Sequence, residues 1–309
     1  AGVIAWMSAL CSVCIFPHTV FLGGYPLCRP DLQTPMDAAT ARGIGCSLAP
    51  AATPDVTPER LASLKATGIQ AISLSIDGSD AQRHDTFRGV AGTFDYTVRA
   101  AGWARDLDLP VQVNTLVTAE TLSDLPAVYE LMLGLGIMRW SLFYLITVGR
   151  GSGLTEVSPG DSERLNHWLY DLSKQSPFAI KTTEATHYRR VAIQEMTLAG
   201  MDDEAIAATS VGRGFGVRDG NGIMFISHDG SVNPSGFLPV NTGNVRTDDV
   251  VTLYRQHPVF VSLRDVSMYR GPGGRCAYPF TCGGSRARAF ARTGHLLESG
   301  ARRPFIPPA

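Results

Sequence analysis

The chain predicts an α/β fold, an incomplete barrel of six βα units followed by a smaller C-terminal region. Three observations carry this. Between Thr19 and Glu184, short β-rich runs alternate with longer helical patterns, the signature of βα units around a parallel sheet. The run Ala71-Ile72-Ser73-Leu74-Ser75-Ile76 alternates apolar with small polar side chains, so one face can pack on helices while Ser73 and Ser75 point into a lumen. After about Met201 the pattern changes to a turn-rich one, which places the domains at 1–214 and 215–309.

In order along the chain, strands are predicted at 19–22, 45–48, 71–76, 111–117, 140–146 and 178–182. Helices are predicted at about 30–42, 58–66, 94–107, 123–135, 162–174 and 188–198. The second helix has start and stop signals of the right polarity, Thr57 before Pro58 at its beginning and Gly68 just past its end. In the C-terminal region, 222–234 reads as a β-hairpin turning at Asp229-Gly230, and one helix follows over 250–263. A parallel barrel puts Asp77-Gly78, Asn114-Thr115 and Val148-Gly149-Arg150 at the C-terminal mouths of successive strands, where such folds bind ligands. A doubly wound parallel sheet remains an alternative.

With 309 residues, 44% of them apolar and 18% charged, the chain has material for one large domain and an appendage. A net charge of -1 gives no electrostatic reason to expect nucleic acid or an anionic membrane as partner. The apolar start lacks a basic lead and is broken by His18 and by Gly23-Gly24-Tyr25-Pro26, so a membrane span is not expected. Because the first residue is Ala, the chain is read as part of a longer reading frame whose beginning is missing. Six cysteines are too few for a disulfide scaffold, and reduced thiols in a cytoplasm are expected.

Chemistry-bearing residues are sparse. Cys276 and Cys282 lie in a glycine- and proline-rich segment with little means of packing a core of its own, which predicts a metal knuckle holding iron or zinc more than a folded helix. His84, His187 and His228 fall in three separate segments without ligand spacing. Lys181 at a strand end suits a Schiff base in an aldolase-like barrel, or a plain lumen pairing with Glu184. The stretch Gly212-Arg213-Gly214-Phe215-Gly216 lacks the strand-then-helix setting of a phosphate loop.

The order Cys276, five residues, Cys282-Gly283-Gly284-Ser285-Arg286-Ala287-Arg288-Ala289 resembles SPASM, the cysteine-rich C-terminal extension of radical S-adenosylmethionine (SAM) enzymes. Further segments extend the resemblance in collinear order. Phe21-Leu22-Gly23-Gly24-Tyr25-Pro26-Leu27 resembles the strand end whose backbone binds the methionyl amino group of SAM. Ser73-Leu74-Ser75-Ile76-Asp77-Gly78, with His84-Asp85-Thr86-Phe87-Arg88-Gly89 and Gly92-Thr93-Phe94 behind it, is similar to the family's fourth-strand region. Val113-Asn114-Thr115 resembles the fifth and Gly149-Arg150-Gly151 the sixth, while Lys181-Thr182-Thr183-Glu184-Ala185 and His187-Tyr188-Arg189-Arg190 look like one SPASM-bearing subgroup.

The resemblance implies a partial (β/α)6 TIM-like barrel with a SPASM-like cysteine-containing extension. It implies SAM and a [4Fe–4S] cluster as cofactors, with Gly23, Gly24, Ser75, Asp77, Asn114 and Arg150 at the SAM site and Cys11, Cys14, Cys276 and Cys282 as metal ligands. An electron delivered to the cluster, from a donor such as a flavodoxin or ferredoxin, cleaves SAM to methionine and a 5′-deoxyadenosyl radical. That radical takes hydrogen from a substrate, a peptide or a tetrapyrrole among family members. The chain departs from the pattern at four places. Met7 stands where a Cys-x3-Cys-x2-Cys loop has its first thiolate, Tyr25 where a carboxylate is usual, and Gly273 and Arg303 where further SPASM thiolates fall. These departures imply impaired turnover, and keep two alternatives open: a barrel that binds SAM or another small molecule without catalysis, and a metal-independent barrel enzyme using Lys181 and Glu184.

Overall fold

The computed structural model describes residues 18–23, 25–212 and 217–300. Six parallel strands form one sheet, β1 (His18–Phe21), β2 (Gly45–Leu48), β3 (Ala71–Ser75), β4 (Val111–Val117), β5 (Arg139–Tyr144) and β6 (Ala179–Thr183), adjacent in that order. A doubly wound sheet needs a point where the strand order reverses. This order has none, so the topology is that of a partial (β/α)6 barrel and the doubly wound alternative falls. The chain divides into two compact units. Unit 1 comprises residues up to Leu116 with Thr121–Leu142 and Pro177–Lys181, and unit 2 comprises Val117–Glu120, Phe143–Ser176 and the chain from Thr182 on.

Unit 1 follows the alternation in its sequence. Ile72 and Leu74 are fully buried while Ser73 and Ser75 are half-buried, and the same period repeats in Val111, Val113 and Thr115 against Gln112 and Asn114. The register Ser73↔Gln112 and Ser75↔Asn114 lines these polar residues up on one face. The other face is covered by α1 (Gln33–Thr40), α2 (Pro58–Ala66), α3 (Ala81–Arg88), α4 (Thr93–Asp106) and α5 (Leu125–Leu135), which bury Met36, Leu61, Ala100 and Met132 completely. The fully buried Trp140 indole donates to the Thr115 hydroxyl at 2.9 Å, and that hydroxyl donates to the Ile76 carbonyl at 2.7 Å. An aromatic that buries its polar tip needs such a partner. Helix α3 has no apolar stripe to announce it. It forms because Asp80 caps it, accepting from the Arg83 amide at 2.8 Å, and Gly89 at φ +71° ends it.

Unit 2 holds α6 (Pro159–Ser173), α7 (His187–Leu198), α8 (Asp203–Ala208), an antiparallel sheet of β7 (Phe225–Ile226), β8 (Ser231–Asn233) and β9 (Gly243–Asn244), then α9 (Val250–Gln256), α10 (Pro258–Arg264) and α11 (Arg286–Thr293). The hairpin turns at Asp229-Gly230 as expected, Gly230 taking φ +90° and Asp229 accepting from the Ser231 amide at 2.9 Å. Two expectations are corrected. The single helix over 250–263 is two helices, because Pro258 lacks an N–H and His257 ends the first while capping the second through Nδ1. The segment after Cys282 is helical rather than a bare knuckle. Ser285 caps α11, and the fully buried Ala287 packs with Ile146, Leu238 and Leu263, partners that lie far off in sequence. Among the described residues no helix is long and apolar enough to cross a membrane.

Candidate functional site

In unit 1 the structure brings Ser75, the last residue of β3, together with Asn114, in the middle of β4, as register partners. Asn114 Oδ1 accepts from Gln112 Nε2 at 2.7 Å, and Gln112 Oε1 accepts from Arg139 Nη1 at 3.2 Å, so the half-buried face carries a continuous polar row. Asp77, just beyond β3, has a side chain only 1% exposed. Its Oδ1 accepts from the Leu116 amide at 2.7 Å, and its Oδ2 lies 2.5 Å from Arg88 Nη2. The carboxylate thus fixes the loop through Oδ1 and is paired in charge with Arg88 through Oδ2, and Ser75 and Asn114 are the half-buried polar groups beside it.

The His84-Asp85-Thr86-Phe87-Arg88 segment explains why that loop is rigid. The buried His84 accepts from the Asp77 amide through Nδ1 at 3.0 Å, and a side chain at Gly78 would place its Cβ 2.5 Å from the His84 amide nitrogen. Burial holds the His84 imidazole below its ordinary value, the Arg88 guanidinium adding to that while Asp77 and Asp85 oppose it. Asp85 accepts from the Gly92 and Phe94 amides at 2.6 and 2.8 Å and so fastens the start of α4. The motif was visible in the sequence. Its role as a brace for Asp77 was not.

Gly23 lies two residues past β1, exposed, at φ +99°, with nothing within 4 Å of where a Cβ would stand. A backbone open to approach and a conformation reserved for glycine fit a ligand held by main-chain groups. Gly24, Cys11, Cys14 and Met7 lie outside the described residues. Arg150 sits in the 3-10 turn Gly149–Gly153, and its side chain is not among those described.

Unit 2 contains a cavity of about 110 Å³ whose lining includes both Cys276 and Cys282. Cys282 is buried and its Sγ lies 3.6 Å from the Thr186 hydroxyl, while the half-buried Cys276 Sγ accepts from the Tyr278 amide at 3.5 Å. No group of three or more His, Cys, Asp or Glu able to hold a metal ion exists among the described residues. Two thiolates are half of what a [4Fe–4S] cluster or structural zinc takes. A cluster at this pair needs ligands from outside the described residues, and no step is derived through one.

Around the cavity, Arg190 meets Glu163 with two parallel hydrogen bonds of 2.8 and 2.5 Å. Arg288 donates to the Leu145 and Glu184 carbonyls at 2.9 and 2.7 Å and to Glu156 at 3.2 Å. Glu184 stands just past β6 with φ +60°, a left-handed backbone uncommon outside glycine, and accepts a hydrogen bond from Ser285. Burial and the nearby Asp219 push its carboxyl up to about 7, against the opposing pull of Ser285, Arg288 and Arg286. Nothing in the sequence around Glu156 signalled its place beneath Arg288 and Arg292, 132 and 136 residues away.

A family description, Radical SAM superfamily, matches residues 9–132. The chain is 38% identical over 282 residues to an AdoMet-dependent heme synthase from Methanosarcina barkeri (strain Fusaro / DSM 804), covering 91% of this chain and 80% of that protein. It is 36% identical over 119 residues to a PqqA peptide cyclase from Rhodopseudomonas palustris (strain ATCC BAA-98 / CGA009), covering 38% of this chain and 31% of that one. Among solved structures, native anSMEcpe with bound AdoMet and Cp18Cys peptide has a TM-score of 0.68 at 18% identity, covering 96% of this chain and 83% of that chain. That likeness establishes a shared fold.

Proposed function

Because the chain belongs to the radical SAM superfamily, we propose that it binds SAM in residues 1–214, beside β1, β3 and β4, and that its substrate class is a tetrapyrrole, which it binds with impaired turnover. The observation that carries the substrate is coverage. Identity to the heme synthase runs through 91% of the chain and so through both units, whereas identity to the peptide cyclase stops at 38%. Identity that runs through both units takes in the C-terminal region as well as the βα strands, and that extent favours the tetrapyrrole class over the peptide class.

The family uses SAM and a [4Fe–4S] cluster, which when bound supply one-electron cleavage chemistry. Gly23 and Gly24 offer backbone to the amino-acid end of SAM. Ser75 and Asn114 offer a hydroxyl and an amide to its polar groups, while Asp77 acts on the site through Leu116 and Arg88. A flavodoxin or ferredoxin in the cytoplasm is the proposed electron donor. Met7 leaves Cys11 and Cys14 without the third thiolate of the loop, and a thioether is a poor substitute, so SAM binding without efficient cleavage is the reading this chain supports.

Calorimetric titration with SAM, absorption titration with an iron tetrapyrrole, and 5′-deoxyadenosine formation after anaerobic reconstitution test the three parts. SAM and tetrapyrrole should both bind, and 5′-deoxyadenosine should stay at background under dithionite. Gly23→Val should weaken SAM binding at least about tenfold, since a β-branched residue does not adopt φ +99°. Unchanged SAM affinity in that variant removes Gly23 from the site. Rapid 5′-deoxyadenosine release refutes the impairment, and failure to bind any tetrapyrrole refutes the substrate.

A further inference from the structure

We propose that the cavity in unit 2 is a binding site for a small oxyanion, a carboxylate or phosphate group. Its lining carries four guanidinium groups, from Arg190, Arg286, Arg288 and Arg292, and two carboxylates, from Glu156 and Glu163. The difference, four minus two, leaves two positive charges in excess. Arg190 pairs with Glu163, and Arg288 and Arg292 share Glu156, so two carboxylates face three guanidiniums. Bonds of Arg286 and further bonds of Arg288 and Arg292 run to carbonyls that cancel no charge. Arg286 donates to the Leu296 and Glu298 carbonyls at 3.4 and 2.9 Å, Arg288 to those of Leu145 and Glu184, and Arg292 to that of Gly300 at 3.2 Å. A carbonyl orients a guanidinium and leaves its net charge in the cavity, where low dielectric strengthens the field.

Charges behind the lining do not undo the excess. Glu184 lies near Arg288 and Arg286 but is held toward its neutral form by burial and by Asp219, and Arg189 and Arg218 add cationic charge of their own. Asp219 is itself satisfied by the Ser235 hydroxyl and the Ala287 amide. On the cavity wall, Ser162 and the His187 imidazole stand 2.8 Å apart and add polar hydrogen-bonding groups. The volume of about 110 Å³ is ample for one carboxylate or phosphate group. The inference stands on this lining alone and does not depend on SAM or on the substrate class.

Because Cys276 lines the cavity and is half-buried, its alkylation by uncharged iodoacetamide reads occupancy in the full chain, with exposed Cys28 as internal control. Inorganic phosphate and acetate are titrated in separate arms against potassium chloride at matched ionic strength, and modification is read by peptide mass spectrometry. At least one of the two should protect Cys276 saturably and leave Cys28 unaffected, the more effective arm identifying the source. Arg292→Gln should raise the half-protecting concentration about tenfold, and Glu156→Gln should lower it several-fold. Opposite effects are the signature of charge, since damage to packing weakens both variants. Protection that neither anion gives, equal protection by chloride, a Cys276 already unreactive without anion, or weakening in both variants would each overturn the site.

Discussion

Unit 1 and unit 2 are held by different kinds of contact. In unit 1 the decisive positions follow a period of two along β3 and β4, and their neighbours are fixed by ladder register, as with Ser75 and Asn114. In unit 2 the decisive positions are ionic and thiol groups brought together from distant segments, such as Glu156 with Arg288 and Arg292. Apolar packing tolerates salt and pH. Partly buried ion pairs do not tolerate salt. The titrating groups His84 in unit 1 and Glu184 in unit 2 shift in opposite directions, so the two units should differ in salt dependence and fail at opposite ends of the pH range.

The largest expected effect tests packing. Trp140→Ala removes a fully buried indole that also holds Thr115, and should cost about 3–5 kcal/mol in urea denaturation, nearly the same at low and high salt. A loss below about 1 kcal/mol would mean that unit 1 does not depend on this core. Next is Glu163→Ala, which takes away both carboxylate bonds of Arg190, whose side chain is only 6% exposed. Breaking a buried pair from one side costs about 3 kcal/mol, and added salt should shrink the difference. An effect that salt leaves unchanged would put unit 2 on the same footing as unit 1.

The smallest effects are in pH and have opposite signs. His84 is held below its unfolded value, so its contribution is complete above that value and is lost as pH falls, because the unfolded chain takes up a proton that the folded one declines. Glu184 is raised to about 7, so its contribution is complete below the unfolded carboxylate value and is lost as pH rises through 7. Hydrogen exchange followed in α4 and α11 should then show protection falling with acid in the first and with base in the second. Glu184→Gln should increase α11 protection above pH 7 and change little at pH 5, and His84→Gln should flatten the acid limb of α4. The same sign in both helices would remove the distinction.

Sequence by itself determined the βα order, the strand positions and the hairpin at Asp229-Gly230, because these rest on local periodicity and turn chemistry. It also placed Ser75 at the end of β3 and Gly23 just past β1. It erred where a neighbour distant in sequence decides the outcome. α11 reads as too poor in apolar residues to fold, yet Ala287 is buried against Ile146, Leu238 and Leu263. Asp77 carried no sign in the sequence of its partners, the Arg88 guanidinium and the Leu116 amide. The cavity that collects Cys276, Cys282 and four arginines draws on segments more than a hundred residues apart. Tertiary structure alone decided these, since backbone preference acts over a few residues while burial and charge act between whatever surfaces the folded chain brings into contact.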